Sequence, residues 1–276
     1  FDLEPHTDDH GGDRPVAGGT DLYVQRPGDY AHTDISLVRA RTTGIRADGD
    51  EIVFAASATA EDMKQSAVLA DELGDMVRPM DLMGSLPIRE RATIAGNIVN
   101  ASPIGDMAVM LTALDAELEL VGDRGKRALP LREFFLGYKI LDLRPGELIE
   151  SIRIRRRPGR LFNFEKVSKR THLDIASVNT AASLRVEDGI VTEAGLAAGG
   201  VAPIPLALVE TEALLIGQRP DAETAWAAAR CAAAEASPID DVRGSADYKR
   251  LLLRQLVLAH FQVLFGISDG LAETGA

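Results

Sequence analysis

Cysteine is almost missing: Cys231 is the one cysteine in 276 residues. That excludes a disulfide within the chain, and any iron–sulfur cluster or cysteine-type zinc site held by this chain alone. In its alanine-rich surroundings Cys231 reads as a small buried apolar side chain. Histidine is scarce too, with five copies and no H-E-x-x-H spacing, so no metal is expected. His6 and His10 fall in an acidic segment that reads as a solvated loop. No apolar run approaches the ~20 residues that span a bilayer, so no membrane insertion is expected. Basic residues are outnumbered, 30 Lys and Arg against 42 Asp and Glu, for a formal charge of −12. That balance argues against nucleic acid or an anionic membrane as partner. No Ser–His–Asp set, activated cysteine or carboxylate pair is visible, and no catalytic acid or base is assigned. The chain opens at Phe1 with neither methionine nor a signal-peptide pattern, which reads as a missing or processed start and carries no address; a cytoplasmic location is expected.

What is present is a chain 46% apolar with mean hydropathy near zero, long enough for one large or two ordinary domains. Residues 1–15 are polar and aperiodic. Short strands are predicted at 34–38 and 51–56, and Thr59 followed by Glu61-Asp62 predicts a helix over 60–72. A helical stretch follows near 75–84. Residues 106–114 read as helical, and the alternation in Glu117-Leu118-Glu119-Leu120-Val121 as a half-buried strand. Further strands are expected at 129–131 and 148–154, with a short helical insertion from Leu131. The Arg153–Arg160 run, with its Pro158-Gly159, marks a boundary. Beyond it, strands at 161–166, 181–186 and 193–199 predict a three-stranded antiparallel sheet, and helices at 222–236 and 246–265 close the chain. Strands and helices without a βαβ rhythm predict an α+β fold, split at 157/158.

Two turns carry the functional signal. Val16-Ala17-Gly18-Gly19-Thr20-Asp21-Leu22 places two glycines, a hydroxyl and a carboxylate together. Ala92-Thr93-Ile94-Ala95-Gly96-Asn97 repeats the theme some seventy residues later. Glycines let successive backbone N–H groups point into one concavity, a nest suited to phosphate oxygens. Two such turns point to a diphosphate gripped from two sides. Neither G-x-G-x-x-G after a strand nor G-x-x-x-x-G-K-[ST] occurs, so a Rossmann or P-loop cradle is excluded.

These turns, with Ala101-Ser102-Pro103-Ile104-Gly105-Asp106, Phe134–Lys139, Pro145–Ile149, Phe164-Glu165-Lys166, Gly199–Pro203 and Asp241–Tyr248, resemble the FAD-binding medium subunit of molybdenum hydroxylases. That family includes the xanthine dehydrogenases, aldehyde oxidases and carbon monoxide dehydrogenases. The likeness spans about residues 15 to 265 and leans to the xanthine dehydrogenase branch through Ala101–Asp106 and Gly137-Tyr138. It implies a p-cresol methylhydroxylase-type FAD-binding domain of two α+β subdomains, residues 1–157, followed by a small α+β C-terminal domain, 158–276. It further implies that Val16, Ala17, Gly18, Gly19, Thr20, Asp21 and Leu22 grip the FAD pyrophosphate and that Ala92, Thr93, Gly96 and Asn97 close the other side. Ser102 and Asp106 would then hold ribityl or flavin-edge atoms, Ile149 would pack on a ring system, and Lys166 would lie close to the flavin. The implied partners are a 2Fe-2S subunit and a molybdopterin-binding large subunit, with NAD+ or a quinone as acceptor. Three departures stand out: Ala95 replaces the first glycine of a Gly-Gly-Asn, Glu90 stands where Asn is common, and the segment before Ala17 is short and polar. A stand-alone FAD oxidoreductase of the same fold, or a module that has lost FAD, are the alternatives.

Overall fold

The Glu-Leu-Glu-Leu alternation builds an inner strand of the first sheet. The computed structural model describes residues 13–25, 27–30, 34–37, 44–74, 76–170 and 173–268. Within them Glu117–Gly122 lies between Gly125–Pro130 and Leu148–Arg155, and the sheet continues through Glu51–Ala55 to Ile45–Asp48, antiparallel throughout. Period-two alternation sends Leu118, Leu120, Ile152, Ile154, Ile52 and Phe54 to one face, all essentially buried. On the other face Arg153 bridges Glu51 and Glu119, each at 3.1 Å, and Lys126 meets Glu119 at 3.0 Å. Burial alone would raise the Glu119 carboxyl, but hydrogen bonds from Lys126, Arg153 and Ser151 override it and hold the group at about 2.

Against the apolar face pack short helices. Ala60–Gln65 opens with a reciprocal cap between Thr59 and Asp62. The single helix expected over 60–72 is in fact two, because Ser66 leaves helical conformation and caps Ala67–Leu73 by accepting from Leu69 N. Val77–Asp81, Leu86–Arg89 and Ile94–Val99 follow. Asp106–Ala113 is buried at all eight positions. A helix apolar all round must be covered on every side, and this one is the seam of the molecule.

Its second neighbour is another antiparallel sheet, ordered Leu161–Val167, Val178–Glu187, Ile190–Gly199 and Leu206–Ala207. The fourth strand, two residues long, extends the three expected. Phe164, Ala181 and Ala197 line up by register and face the first core, while a side chain on Gly195 would strike the Ala113 carbonyl at 2.1 Å. The opposite face carries Ala182, Leu184 and Leu196 into a second core. Val209–Leu215, Ala222–Glu235 and Ala246–Phe265 cover it. Small Ala225, Ala228, Ala229 and Ala232 permit that close packing. Asp13–Val16 pairs in parallel with Asp34–Leu37; the remainder of the polar 1–15 segment, Val38 and Asp75 lie outside the described residues. The strand expected at 129–131 ends at Pro130, and Leu131–Phe134 is helical.

His260 ties the last helix to the second sheet, its ring between Asn163 Nδ2 at 2.8 Å and Thr180 Oγ1 at 2.9 Å. Burial depresses it to about 3 from an ordinary 6.5, so the unfolded chain takes up the proton first as pH falls. Stability is therefore intact above pH 6.5 and drains between 6.5 and 3, at up to about 1.4 kcal/mol per pH unit. Urea denaturation at pH 7, 5.5 and 4.5 should show a steeper loss in the wild type than in His260→Asn; equal slopes would absolve His260.

Candidate functional site

The two glycine turns touch. Strand Asp13–Val16 delivers the first turn and helix Leu22–Gln25 leaves it, with Tyr23 N donating to Gly19 O at 3.1 Å. Gly19 adopts φ +71°, the left-handed region that favours glycine. Gly18 lies flat on the entrance to the second turn: a Cβ there would fall 1.6 Å from the Arg91 carbonyl oxygen. Arg91 Nε in return donates to Gly18 O at 3.3 Å. Among the described residues, the backbone N–H groups of Gly18, Gly19, Thr20 and Asp21 donate to no protein acceptor. Asp21 is occupied at the helix start, its Oδ1 accepting from Gln25 Nε2 at 2.8 Å.

The second turn begins where Ala92 O accepts from Ala60 N and Ile94 N donates to Ala58 O, anchoring it to the first core. Thr93 is the N-cap of Ile94–Val99, and its hydroxyl oxygen accepts from Gly96 N at 3.1 Å. Gly96 has to be bare there, since a Cβ would come 2.7 Å from that hydroxyl. Asn97 Oδ1 accepts from Ala108 N at 3.1 Å. Because a backbone N–H can only donate, the amide orientation is fixed, and Asn97 Nδ2 is the end turned to other acceptors. Beneath the turn, Arg89 Nε meets Glu61 at 2.7 Å and Nη1 donates to Gly84 O at 2.9 Å. The bond from Arg89 holds the Glu61 carboxyl below its usual range against the pull of burial.

The Ala101–Asp106 loop completes the cluster. Ala101 itself stands at φ +48°, Ser102 O accepts from Gly105 N, and Gly200 N donates to Pro103 O at 2.8 Å, so the loop rests on the end of the second sheet. Asp106 is buried, with Lys166 Nζ 2.7 Å from one oxygen and Asn179 Nδ2 on the other. Burial pushes its carboxyl upward, while the charge and hydrogen bond of Lys166 and the Asn179 amide pull the other way. Lys166 also donates to Leu82 O at 3.0 Å, which uses two of its three donors. Asn179 Oδ1 is buried without a partner.

The structure thus gathers Val16–Leu22, Ala92–Asn97, Ser102, Asp106 and Lys166 around one series of contacts. Ile149 lies in the first core, 4% exposed and opposite Leu120, on a strand that also packs against Ile94–Val99. Arg91 and Asn179 escaped the sequence reading. Arg91 acts across 73 positions, and Asn179 is an unremarked polar residue inside an apolar strand.

Residues 5–156 match the family of FAD binding domains in molybdopterin dehydrogenase, and residues 164–263 the CO dehydrogenase flavoprotein C-terminal domain. The chain is 33% identical to the carbon monoxide dehydrogenase medium chain of Afipia carboxidovorans over 86% of its own length and 83% of that one. It shares 37% identity with xanthine dehydrogenase 1 of Arabidopsis thaliana, over 48% of this chain but 10% of that one. Carbon monoxide dehydrogenase from Hydrogenophaga pseudoflava, in a structure lacking the Mo-pyranopterin moiety, superposes with a TM-score of 0.85 at 29% identity, covering 92% of this chain and 90% of that one. Among the described residues, no helix is long and apolar enough to cross a membrane. The chain is an FAD-binding subunit of the molybdenum hydroxylase family.

Proposed function

We propose that this chain carries FAD between an iron–sulfur subunit and an external acceptor, NAD+ or a quinone, while a molybdopterin-binding large subunit hydroxylates the substrate. Bound FAD supplies the exchange between one-electron and two-electron carriers. The observation that supports the reading best is the welded pair of turns with bare backbone donors. Four successive residues, Gly18 to Asp21, offer N–H groups with no protein acceptor among the described residues, and two of them lack a side chain that could cover those groups. A diphosphate meets that need, with the Thr20 hydroxyl, Asn97 Nδ2 and the adjacent Arg91 guanidinium adding donors and one positive charge. Val16, Ala17 and Leu22 fix the path of the first turn, and Ala92, Thr93 and Gly96 that of the second. Ser102 lines the same loop cluster. Lys166 is charge-matched by Asp106, so what it offers a ligand is one directed N–H rather than a net charge. The single cysteine supports placing the clusters on another chain, and the multi-chain nature implied by "medium chain" in the relative's name supports the partners.

The test is the visible spectrum of the native complex. The expected result is a flavin band beside iron–sulfur absorption, bleached by dithionite and restored by NAD+ or, in a separate arm, by a quinone. A colourless chain that takes up no added FAD would sink the proposal, and a flavoprotein purified alone and reduced directly by its own substrate would sink the partner assignment.

A further inference from the structure

Four arginines crowd the seam between the two cores, in a cavity that none of the glycine-turn residues lines. Arg132, Arg157, Arg160 and Arg185 line a cavity of about 80 Å³, together with Ser183, Glu193 and the end of the seam helix. That is room for roughly five waters or one small oxyanion. The Arg160 side chain is 3% exposed. Its Nη2 donates to Arg155 O at 2.8 Å, but Nη1 stays 3.6 Å from Glu72, beyond hydrogen-bond reach. Both Nε and Nη1 of Arg160 are buried with no acceptor, as is Nε of Arg132. The other cations are better served: Arg157 and Arg185 share the Glu193 carboxylate, and the outer nitrogens of Arg132 meet Asp115 and Glu212. Burial pulls Arg160 down to about 10, Glu72 opposing and Arg157 adding to the shift, which leaves it cationic at neutral pH.

Buried guanidinium N–H groups without acceptors are uncommon, because each forfeits its hydration for nothing. We propose that the seam cavity binds a phosphate-class oxyanion, with Arg160 Nε and Nη1 and Arg132 Nε as its donors and the Ser183 hydroxyl as a fourth. Two converging guanidinium groups suit an oxyanion, which presents several lone pairs on one compact body. An apolar ligand would find no complement there, and the buried Glu193 oxygen that could serve a cation already faces the Arg157 guanidinium. The bound anion would join three parts of the chain: Arg132 beside the first sheet, Arg160 in the link between sheets, and Ser183 in the second sheet. Its occupancy would therefore set how firmly the two halves hold together.

The experiment uses FAD-loaded protein, so that phosphate cannot report on the flavin site. Titration calorimetry and thermal denaturation would compare inorganic phosphate with chloride at equal ionic strength, and AMP in a further arm. The expected result is saturable binding of one phosphate per chain with a rise in Tm, weakened about tenfold in Arg132→Gln and a few-fold in Ser183→Ala, at unchanged flavin absorbance. AMP binding tighter than phosphate would identify a nucleotide as the source of the anion; weaker binding would identify free phosphate. If Arg132→Gln does not fold, Ser183→Ala decides. Phosphate no better than chloride, or wild-type phosphate affinity in the variants that fold, would overturn the site.

Discussion

Replacing Gly18 with alanine should strip the chain of FAD while leaving it folded. The added methyl carbon would stand 1.6 Å from the Arg91 carbonyl oxygen, 2.6 Å from its carbon and 3.4 Å from Ala92 N. All three are backbone atoms, so no side-chain rotation relieves the clash. The first turn has to lift off the second, which also breaks the Arg91-to-Gly18 hydrogen bond. A diphosphate held from both sides then loses the register between its two sets of donors. The expected loss is about 100-fold in FAD affinity, or about 2.7 kcal/mol. Neither hydrophobic core uses Gly18, so the far-ultraviolet circular dichroism should be unchanged. Flavin content after purification and fluorescence titration of the apoprotein give the measurement. Gly28→Ala is the matched control, because a methyl there meets nothing within 4 Å and FAD should be retained. Wild-type FAD affinity in Gly18→Ala would detach the paired turns from the cofactor.

The clash at Gly18 also marks where sequence reading stops. Period and composition located the long elements well: Ala246–Phe265 was expected at those bounds and found there, and the strand expected at 117–121 gains one residue. Those elements carry their signal locally, in a repeating pattern of burial. Val209–Leu215 and the two-residue strand Leu206–Ala207 were missed because they are short and take their order from packing against Ile190–Gly199. The break at Ser66 was missed for a different reason. Serine is tolerated inside helices, and only its extended backbone with the bond from Leu69 N reveals a cap.

At the site the same division holds. Glycines and small polar residues made both turns visible, since turn chemistry is local. What each side chain does there depends on partners far along the chain. Thr93 could be read as a phosphate donor, yet its oxygen is engaged as a helix cap by Gly96 N. Asn97 likewise spends its oxygen on Ala108 N, eleven residues ahead. Arg91 sits between Glu90 and Ala92 with nothing in its surroundings to separate it from a solvated arginine, and the contact with Gly18 O gives it a place.

Lys166→Met should produce the largest stability loss, because it orphans a buried carboxylate at the seam. Lys166 and Asp106 expose 3% and 10% of their side chains, and their charges lie 2.7 Å apart. Removing the cation leaves Asp106 with the Asn179 amide as its remaining side-chain partner. Breaking a buried pair from one side costs about 3–5 kcal/mol, a large share of the roughly 5–15 kcal/mol that holds a domain together. Burial already biases this carboxyl upward, so in the variant it takes up a proton rather than remain charged. Its folded pKa then lies above the unfolded value of 3.8, the native state binds more protons, and stability falls as pH rises through the folded pKa. The variant should therefore be closest to the wild type in mild acid and furthest from it above neutrality. Adding Asp106→Asn removes the orphaned charge, and the double variant should recover most of the loss. Urea denaturation across that pH range, run as a double-mutant cycle, reads the coupling directly. Additive costs, or a pH-independent deficit, would mean that the pair contributes packing rather than charge. Strong coupling would mean that one ion pair, joining the head of the seam helix to the second sheet, fixes the loop that borders the proposed flavin site.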